Sequence, residues 1–275
     1  FSFAEALAHR GQMIPDARTM LASRARARIE RAFLDWLVVG GFPEAQALDV
    51  SARHQLLRDY VDVAMLRDVV ERHGVSNVIG LRWLVRHLLG NAAGSFSVEK
   101  FYGALKSQGI AISKDTTHQL LSHLEDCFLV RMIWMESASE RQRMVNPRKT
   151  YPIDPGLIPI FDRSGRANTG HALETAVLIE LERRRFSVTY VRTREGFEVD
   201  FLARGADGES ELIQVCADAS DPTTAERELR ALAEAGNAFP KARRRLLTLT
   251  RDGAPADVPS GVTCQPAYEW MLTAN

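Results

Sequence analysis

Residues 197–202 read Phe197-Glu198-Val199-Asp200-Phe201-Leu202, and residues 212–216 read Leu212-Ile213-Gln214-Val215-Cys216. Both are short apolar-rich runs bounded by polar and glycine-containing segments, which predicts two neighbouring β-strands. Strand side chains alternate between faces, so Glu198 shares a face with Asp200, while Gln214 shares one with Cys216 and Asp218, and Glu211 faces the other way. Metal-dependent phosphodiester cleavage needs acids converging on one or two hard cations, with a cation or base near the attacking water. In one common solution an acid ends one strand and the next strand presents Glu-x-Lys. Asp200 occupies the first place here, and Glu174, on the preceding helix, is the expected third acid. Gln214 stands where a carboxylate is required and Cys216 where a lysine is required. The pattern therefore predicts a degenerate site at Glu174, Asp200, Gln214 and Cys216. Asp200 is its candidate metal ligand, and Mg²⁺ or Mn²⁺ is expected only if Glu198 or Asp218 serves as a migrated acid. No histidine lies near Cys216 in sequence, so a structural thiol is expected there rather than a nucleophile.

These strands belong to a segment, residues 154–275, that alternates element types. A helix is predicted from Thr169 to Arg185, then strands near 187–192, 198–204 and 211–217, a helix at 223–235 and a strand at 245–250. This order predicts an α/β domain with a mixed sheet. Before it, residues 95–153 read as helix, turn, helix and hairpin. Ser97 can cap a helix over Val98 to Lys106, a second helix runs from about Lys114 to Cys127, and two β-like runs at 128–135 and 149–153 flank the polar stretch 137–146. That order is the winged-helix arrangement, in which the second helix can enter a major groove and the hairpin loop can reach phosphate. Its groove-facing end would be Lys114, Asp115, Thr116, Thr117, His118 and Gln119, with Arg141, Arg143, Arg148 and Lys149 on or beside the wing. Residues 1–94 read as a helical lead-in. Helices are predicted at about Ala17–Val39, stopped by Gly40-Gly41-Phe42-Pro43, at about Ser51–His73, and at Asn77–Gly90. The fold class expected is thus α+β and multi-domain, with boundaries at 1–94, 95–153 and 154–275.

The chain has 275 residues, 45% hydrophobic and 25% charged, a globular composition with length for about two domains. Its 35 Lys+Arg and 35 Asp+Glu cancel, so no whole-chain field draws it to nucleic acid or to an anionic membrane. The halves differ. Residues 1–150 carry 20 basic and 16 acidic side chains and residues 151–275 carry 15 and 19, so +4 sits beside −4. Three separated cysteines without a CxxC pair suit a reducing compartment, and no apolar run reaches the length of a membrane span. With no signal-peptide pattern at Phe1 to Arg10, a cytoplasmic location without membrane contact is expected. The absence of an initiator Met suggests a piece of a longer protein.

Gly40-Gly41-Phe42-Pro43-Glu44, Asp68-Val69-Val70-Glu71-Arg72, Asn146-Pro147-Arg148-Lys149-Thr150-Tyr151-Pro152-Ile153-Asp154, and Glu198-Val199-Asp200-Phe201 with Ile213-Gln214-Val215 occur in this order. In order and spacing, over about Phe1 to Leu249, the chain resembles the C-terminal region of bacterial and archaeal AAA-type ATP-binding proteins, a domain of unknown function behind the ATPase. The resemblance implies an N-terminal P-loop ATPase, a winged helix and a module similar to the PD-(D/E)XK nuclease fold. No Gly-x-x-x-x-Gly-Lys-Ser/Thr is present, so no cofactor is expected in this chain, and ATP would belong to the ATPase domain alone. Three functions stay open: a non-catalytic region recognising double-stranded DNA or protein, a divalent-metal nuclease using Asp200, Glu174 and a migrated acid, and an assembly module that contacts protein only, including its own ATPase domain.

Overall fold

The apolar stripes of the sequence become helices that enclose two sheets. A computed structural model describes residues 1–13, 23–162 and 168–273. Helix α1 (Phe3–His9) starts at a capping box in which Ser2 and Glu5 satisfy each other's backbone N–H. Helix α2 (Ser23–Val39) buries Ile29, Phe33, Trp36 and Leu37. The part of the expected helix at 17–22 lies outside the described residues. Gly40, at φ +83°, ends α2 in a conformation that favours glycine. Helix α3 (Val50–Val63), capped by Asp49, runs into a π-helical stretch over Ala64–Glu71.

Helix α4 (Val78–Gly90) is capped by Asn77. Then follow β1 (Ser95–Phe96), α5 (Val98–Ser107), α6 (Lys114–Asp126), β2 (Val130–Ile133), a short helix α7 (Glu140–Val145) and β3 (Arg148–Pro152). The three strands form one antiparallel sheet in the order β1-β3-β2, with Ser95 opposite Lys149 and Met132 opposite Thr150.

After α8 (Ile158–Phe161) and α9 (Thr169–Arg183) come β4 (Ser187–Arg192), β5 (Glu198–Arg204), β6 (Ser210–Cys216), α10 (Pro222–Ala238), β7 (Arg243–Thr248), β8 (Val262–Pro266) and α11 (Ala267–Leu272). The second sheet has the order β4-β5-β6-β7-β8. Its first three strands are antiparallel, and its last three are parallel, with α10 as the crossover from β6 to β7. The chain is thus α+β with two sheets, as the sequence led us to expect.

Packing crosses the expected 94/95 boundary. Phe3, Leu7, Phe33, Trp36 and Leu37 of α1 and α2 share a core with Leu173 and Val177 of α9, Phe201 and Ile213 of the larger sheet, and Tyr268 and Trp270 of α11. The rest of the lead-in, including Leu57, Met65 and Leu84, packs instead with Phe101, Leu120, Leu121 and Val130. A third cluster, with Leu202, Leu212, Leu232 and Leu246, fills the space between α10 and the opposite face of the larger sheet. The two sheets are also joined by backbone. The Glu136 N–H donates to Tyr190 O at 2.7 Å and the Tyr190 N–H to Trp134 O at 3.0 Å. Arg204 clamps Glu136 with two bonds of 2.9 Å.

Candidate functional site

Strand β3 is the centre of the small sheet, and alternation along it sends Lys149 and Tyr151 towards α9 and the larger sheet. Lys149 is only 4% exposed. Its Nζ lies 3.0 Å from Glu174 Oε1, 2.9 Å from Glu198 Oε1 and 2.9 Å from Asp200 Oδ1. The Tyr151 hydroxyl donates to the same Glu174 oxygen at 2.7 Å. Helix α9 supplies Glu174, and β5 supplies the other two acids.

A β-bulge places Asp200. Thr189 pairs with Leu202 but Val191 with Val199, so β5 spends one more residue than β4 over this step. Asp200 and Phe201 fall in that interval, and such a bulge turns adjacent side chains to one face. Phe201 accordingly joins the α9 core while Val199 and Leu202 join the α10 core. The Asp200 N–H, displaced from a regular ladder, is taken by Gln214 Oε1 at 3.3 Å, and Asp200 Oδ2 accepts the Val215 N–H at 3.0 Å.

Charge follows from this packing. Burial alone would lower the Lys149 ammonium, but Asp200, Glu174 and Glu198 outweigh it and hold the pKa above its usual value. Burial and then the Asp200 charge push Glu174 up to about 8, against the pull of Lys149 and Tyr151. Tyr151 is raised too, first by burial and then by Glu174 and Asp200. Does this set fit a divalent metal? Lys149 already occupies the point where the three carboxylates converge, and among the described residues no group of three or more His, Cys, Asp or Glu is arranged to hold a metal ion. The residues present fit an ammonium, not a metal, at this point.

The four nuclease-like positions expected from sequence divide between two faces. Glu174 and Asp200 meet. Gln214 and Cys216 point towards α10 instead, where Gln214 Nε2 donates to Glu228 Oε2 at 2.7 Å and Glu228 is held by Arg227. Gln214 is buried, so its amide supports the bulge and tethers α10 rather than replacing a lost ligand. The half-buried Cys216 thiol bonds to Asp218 O at 3.2 Å, and burial, then the Glu228 charge, push it up to about 11, far from a thiolate at neutral pH. Of the two candidate migrated acids, Glu198 joins the cluster. Asp218 lies at an exposed turn where it accepts the Ser220 N–H.

The expected DNA-facing residues are spread as follows. Ser113 caps α6, and Thr116 bonds to its hydroxyl at 2.8 Å. Thr117 is buried, with its hydroxyl on Ser113 O at 2.9 Å, so it turns inward from any groove. Asp115, His118 and Gln119 are exposed, and exposed Lys114 pairs with Glu99. On α7, Arg141 is exposed and Arg143 pairs with Glu140 at 3.2 Å. Arg148 stacks its guanidinium 3.6 Å from the centre of the Trp134 ring. Lys149 lies inside the acid cluster and not on the wing, because the face of β3 that carries it is the one pressed against α9. Its strand position and its spacing from Tyr151 were visible in the sequence; its carboxylate partners, 25 to 51 residues away, were not.

Residues 30–164 match the domain of unknown function DUF8612. That span contains Lys149 and Tyr151 but stops short of Glu174, Glu198 and Asp200. The chain is similar to the uncharacterized protein MJ1544 of Methanocaldococcus jannaschii, 32% identical over 215 residues, which cover 76% of this chain and 47% of that protein. It is also similar to an uncharacterized protein of Haemophilus influenzae, 27% identical over 179 residues, 65% of this chain and 44% of the other. The chain therefore spans about half the length of the curated relatives it matches. No solved structure matches. No helix among the described residues is long and apolar enough to cross a membrane.

Proposed function

We propose that this chain is the recognition region of an AAA-type ATP-binding protein, with residues 95–153 acting as a winged-helix module for double-stranded DNA and residues 154–275 as a PD-(D/E)XK-nuclease-like domain that does not cut. The observation that carries the non-cutting half is the Lys149 ammonium among Glu174, Glu198 and Asp200, which neutralises the acids a metal would need. The order α5, α6, β2, α7, β3, with β1 on the outer edge of β3, supports the winged-helix half. Exposed Lys114, His118 and Gln119 on α6 and Arg141 on α7, with Arg143 beside it in a solvent-exposed pair with Glu140, are the groups left to meet a duplex. The half-length coverage of each relative leaves room in those proteins for the ATPase domain that the resemblance implies, and ATP would bind there.

Duplex binding followed by fluorescence anisotropy tests this reading. Affinity is expected to fall with salt, and the double variant Arg141→Ala/Arg143→Ala is expected to flatten that dependence by about two phosphate contacts. Binding that ignores both salt and these substitutions would leave the protein-contact reading in its place. One observation favours a nuclease as a second reading: Glu198 reaches the same ammonium as Glu174 and Asp200, so three acids and a lysine share one face. Incubation with plasmid and single-stranded DNA in Mg²⁺ or Mn²⁺ decides between the two. Cutting that disappears in Asp200→Ala would establish the nuclease and overturn the recognition reading.

A further inference from the structure

A groove of about 1020 Å³ lies between α3, α4, α5 and α8, with Ser95 of β1 on its lining. Its volume is at the upper end of the range for bound small molecules, so it has room for a chain of several units. Val61, Met65, Val85, Phe101 and Leu105 give it an apolar floor. Cations come to its rim from three separate helices: Arg58 on α3, Arg82 and Arg86 on α4, and Lys100 on α5. Arg82 makes a 3.4 Å pair with Asp62, both side chains being about half exposed, so the pair is weak. Asp162, also on the rim, accepts from Asn168 at 2.9 Å. Among the described residues the side chains of Arg58, Arg86 and Lys100 have no hydrogen bond or ion pair. Trp83 lines the same groove and is 40% exposed. A part-exposed indole and three cations without an ion pair thus surround one apolar trough, an amphipathic ring and charges of the kind found at binding surfaces.

We infer that this groove binds single-stranded nucleic acid. Cations on three helices suit successive phosphates of one strand, and the apolar floor with its exposed indole suits unpaired bases, each of which has a π-face to stack. A duplex keeps its bases inside and has nothing to place against Trp83. An acidic peptide without aromatic side chains, such as polyglutamate, would satisfy the rim but leave the indole with no aromatic partner. This site is separate from the α6 and α7 surface proposed above for double-stranded DNA, and the two can fail independently.

Anisotropy of a fluorescein-labelled oligothymidylate, titrated with the full chain at several salt concentrations, tests the inference. Four phosphate contacts predict a slope of log affinity against log salt of about −3, and Arg86→Ala is expected to reduce its magnitude by about 0.7. Trp83→Ala is expected to weaken binding about tenfold or more with the slope unchanged. Both residues are exposed, so unchanged circular dichroism and melting are expected for both variants. Arg141→Ala/Arg143→Ala is expected to leave single-strand binding intact while weakening duplex binding. The inference is overturned if Trp83→Ala and Arg86→Ala bind the strand as the wild type does, or if polyglutamate displaces the strand from the wild type at matched charge concentration.

Discussion

The Lys149 ammonium is the counter-charge of the cluster, so Lys149→Met would leave the buried Asp200 and half-buried Glu198 carboxylates unpaired beside Glu174, whose pKa of about 8 keeps it largely protonated at pH 7. Loss of one partner of a buried ion cluster costs about 3–5 kcal/mol, and urea unfolding at pH 7 is expected to show a loss of that size. Orphaned acids take up protons as pH falls, so the same variant is expected to regain part of the loss at pH 5. An equal loss at both pH values would show that Lys149 acts through packing alone. Asp154 makes a second pH-dependent contribution. Burial pushes its carboxyl up to about 6, only partly offset by the Gly41 and Gly156 N–H groups that donate to it at 2.6 and 2.8 Å. A raised carboxyl pKa stabilises the fold fully below its ordinary value of 3.8, and that contribution is lost as pH rises through about 6. Wild type measured against Asp154→Asn should therefore show its relative advantage shrinking between about pH 4 and pH 6, because Asn mimics the neutral acid and does not titrate. A pH-independent difference between the two in chemical denaturation would refute this.

At the scale of elements, the crossing of α2 with the Pro155–Leu157 turn depends on atoms that are not there. A Cβ on Gly40 would lie 1.9 Å from Asp154 Oδ1, and the φ of +83° is itself unfavourable for other residues. Gly40→Ala is expected to cost about 2–4 kcal/mol from strain and overpacking together, read as a lowered melting temperature. A variant that melts within a degree or two of wild type would mean that the crossing yields. Gly40 and Gly41 were legible as a helix stop, but their contact with Asp154, more than a hundred residues on, was not. The same division holds elsewhere. Apolar stripes located α4, α5, α6 and α9 closely, because each buries one face or more. Helix α7 was hidden in the polar stretch 137–146, since its six residues bury nothing and its one local signal is the Ser139 cap. The π-helical stretch Ala64–Glu71 carries the same residue types as an α-helix and leaves no periodic mark. Asp200 was found from strand pattern, yet the bulge that turns it towards α9 depends on pairing with β4, which alternation within β5 cannot reveal.

At the scale of the molecule, α1 and α2 are part of the larger sheet's core: Phe33 packs 5.0 Å from Phe3 and 5.9 Å from Tyr268, ring centre to ring centre. Residues 95–275 alone are therefore expected to expose the faces of Leu173, Ala176 and Tyr268, to bind a hydrophobic dye and to lose a cooperative melt, whereas the whole chain melts in one transition. A sharp, dye-free transition for that piece would show the boundary at 94/95 to be a real domain edge. Composition, periodicity and turn residues by themselves determined the longer helices, most strands and the α+β class, since these depend on neighbours within a few turns of chain; the short α1, α7, α8 and α11 left no such mark. They also singled out Glu174 and Asp200, the two acids that meet at Lys149. Only tertiary structure decided that Gln214 and Cys216 face away from them, that α1 and α2 join the distant α9 and α11, and that Lys149 leaves the expected wing surface to sit among three carboxylates. The reason is physical: a strand's two faces look alike in sequence until a bulge and a partner layer fix which one is buried, and the partner of a buried charge is chosen by packing between segments far apart in the chain.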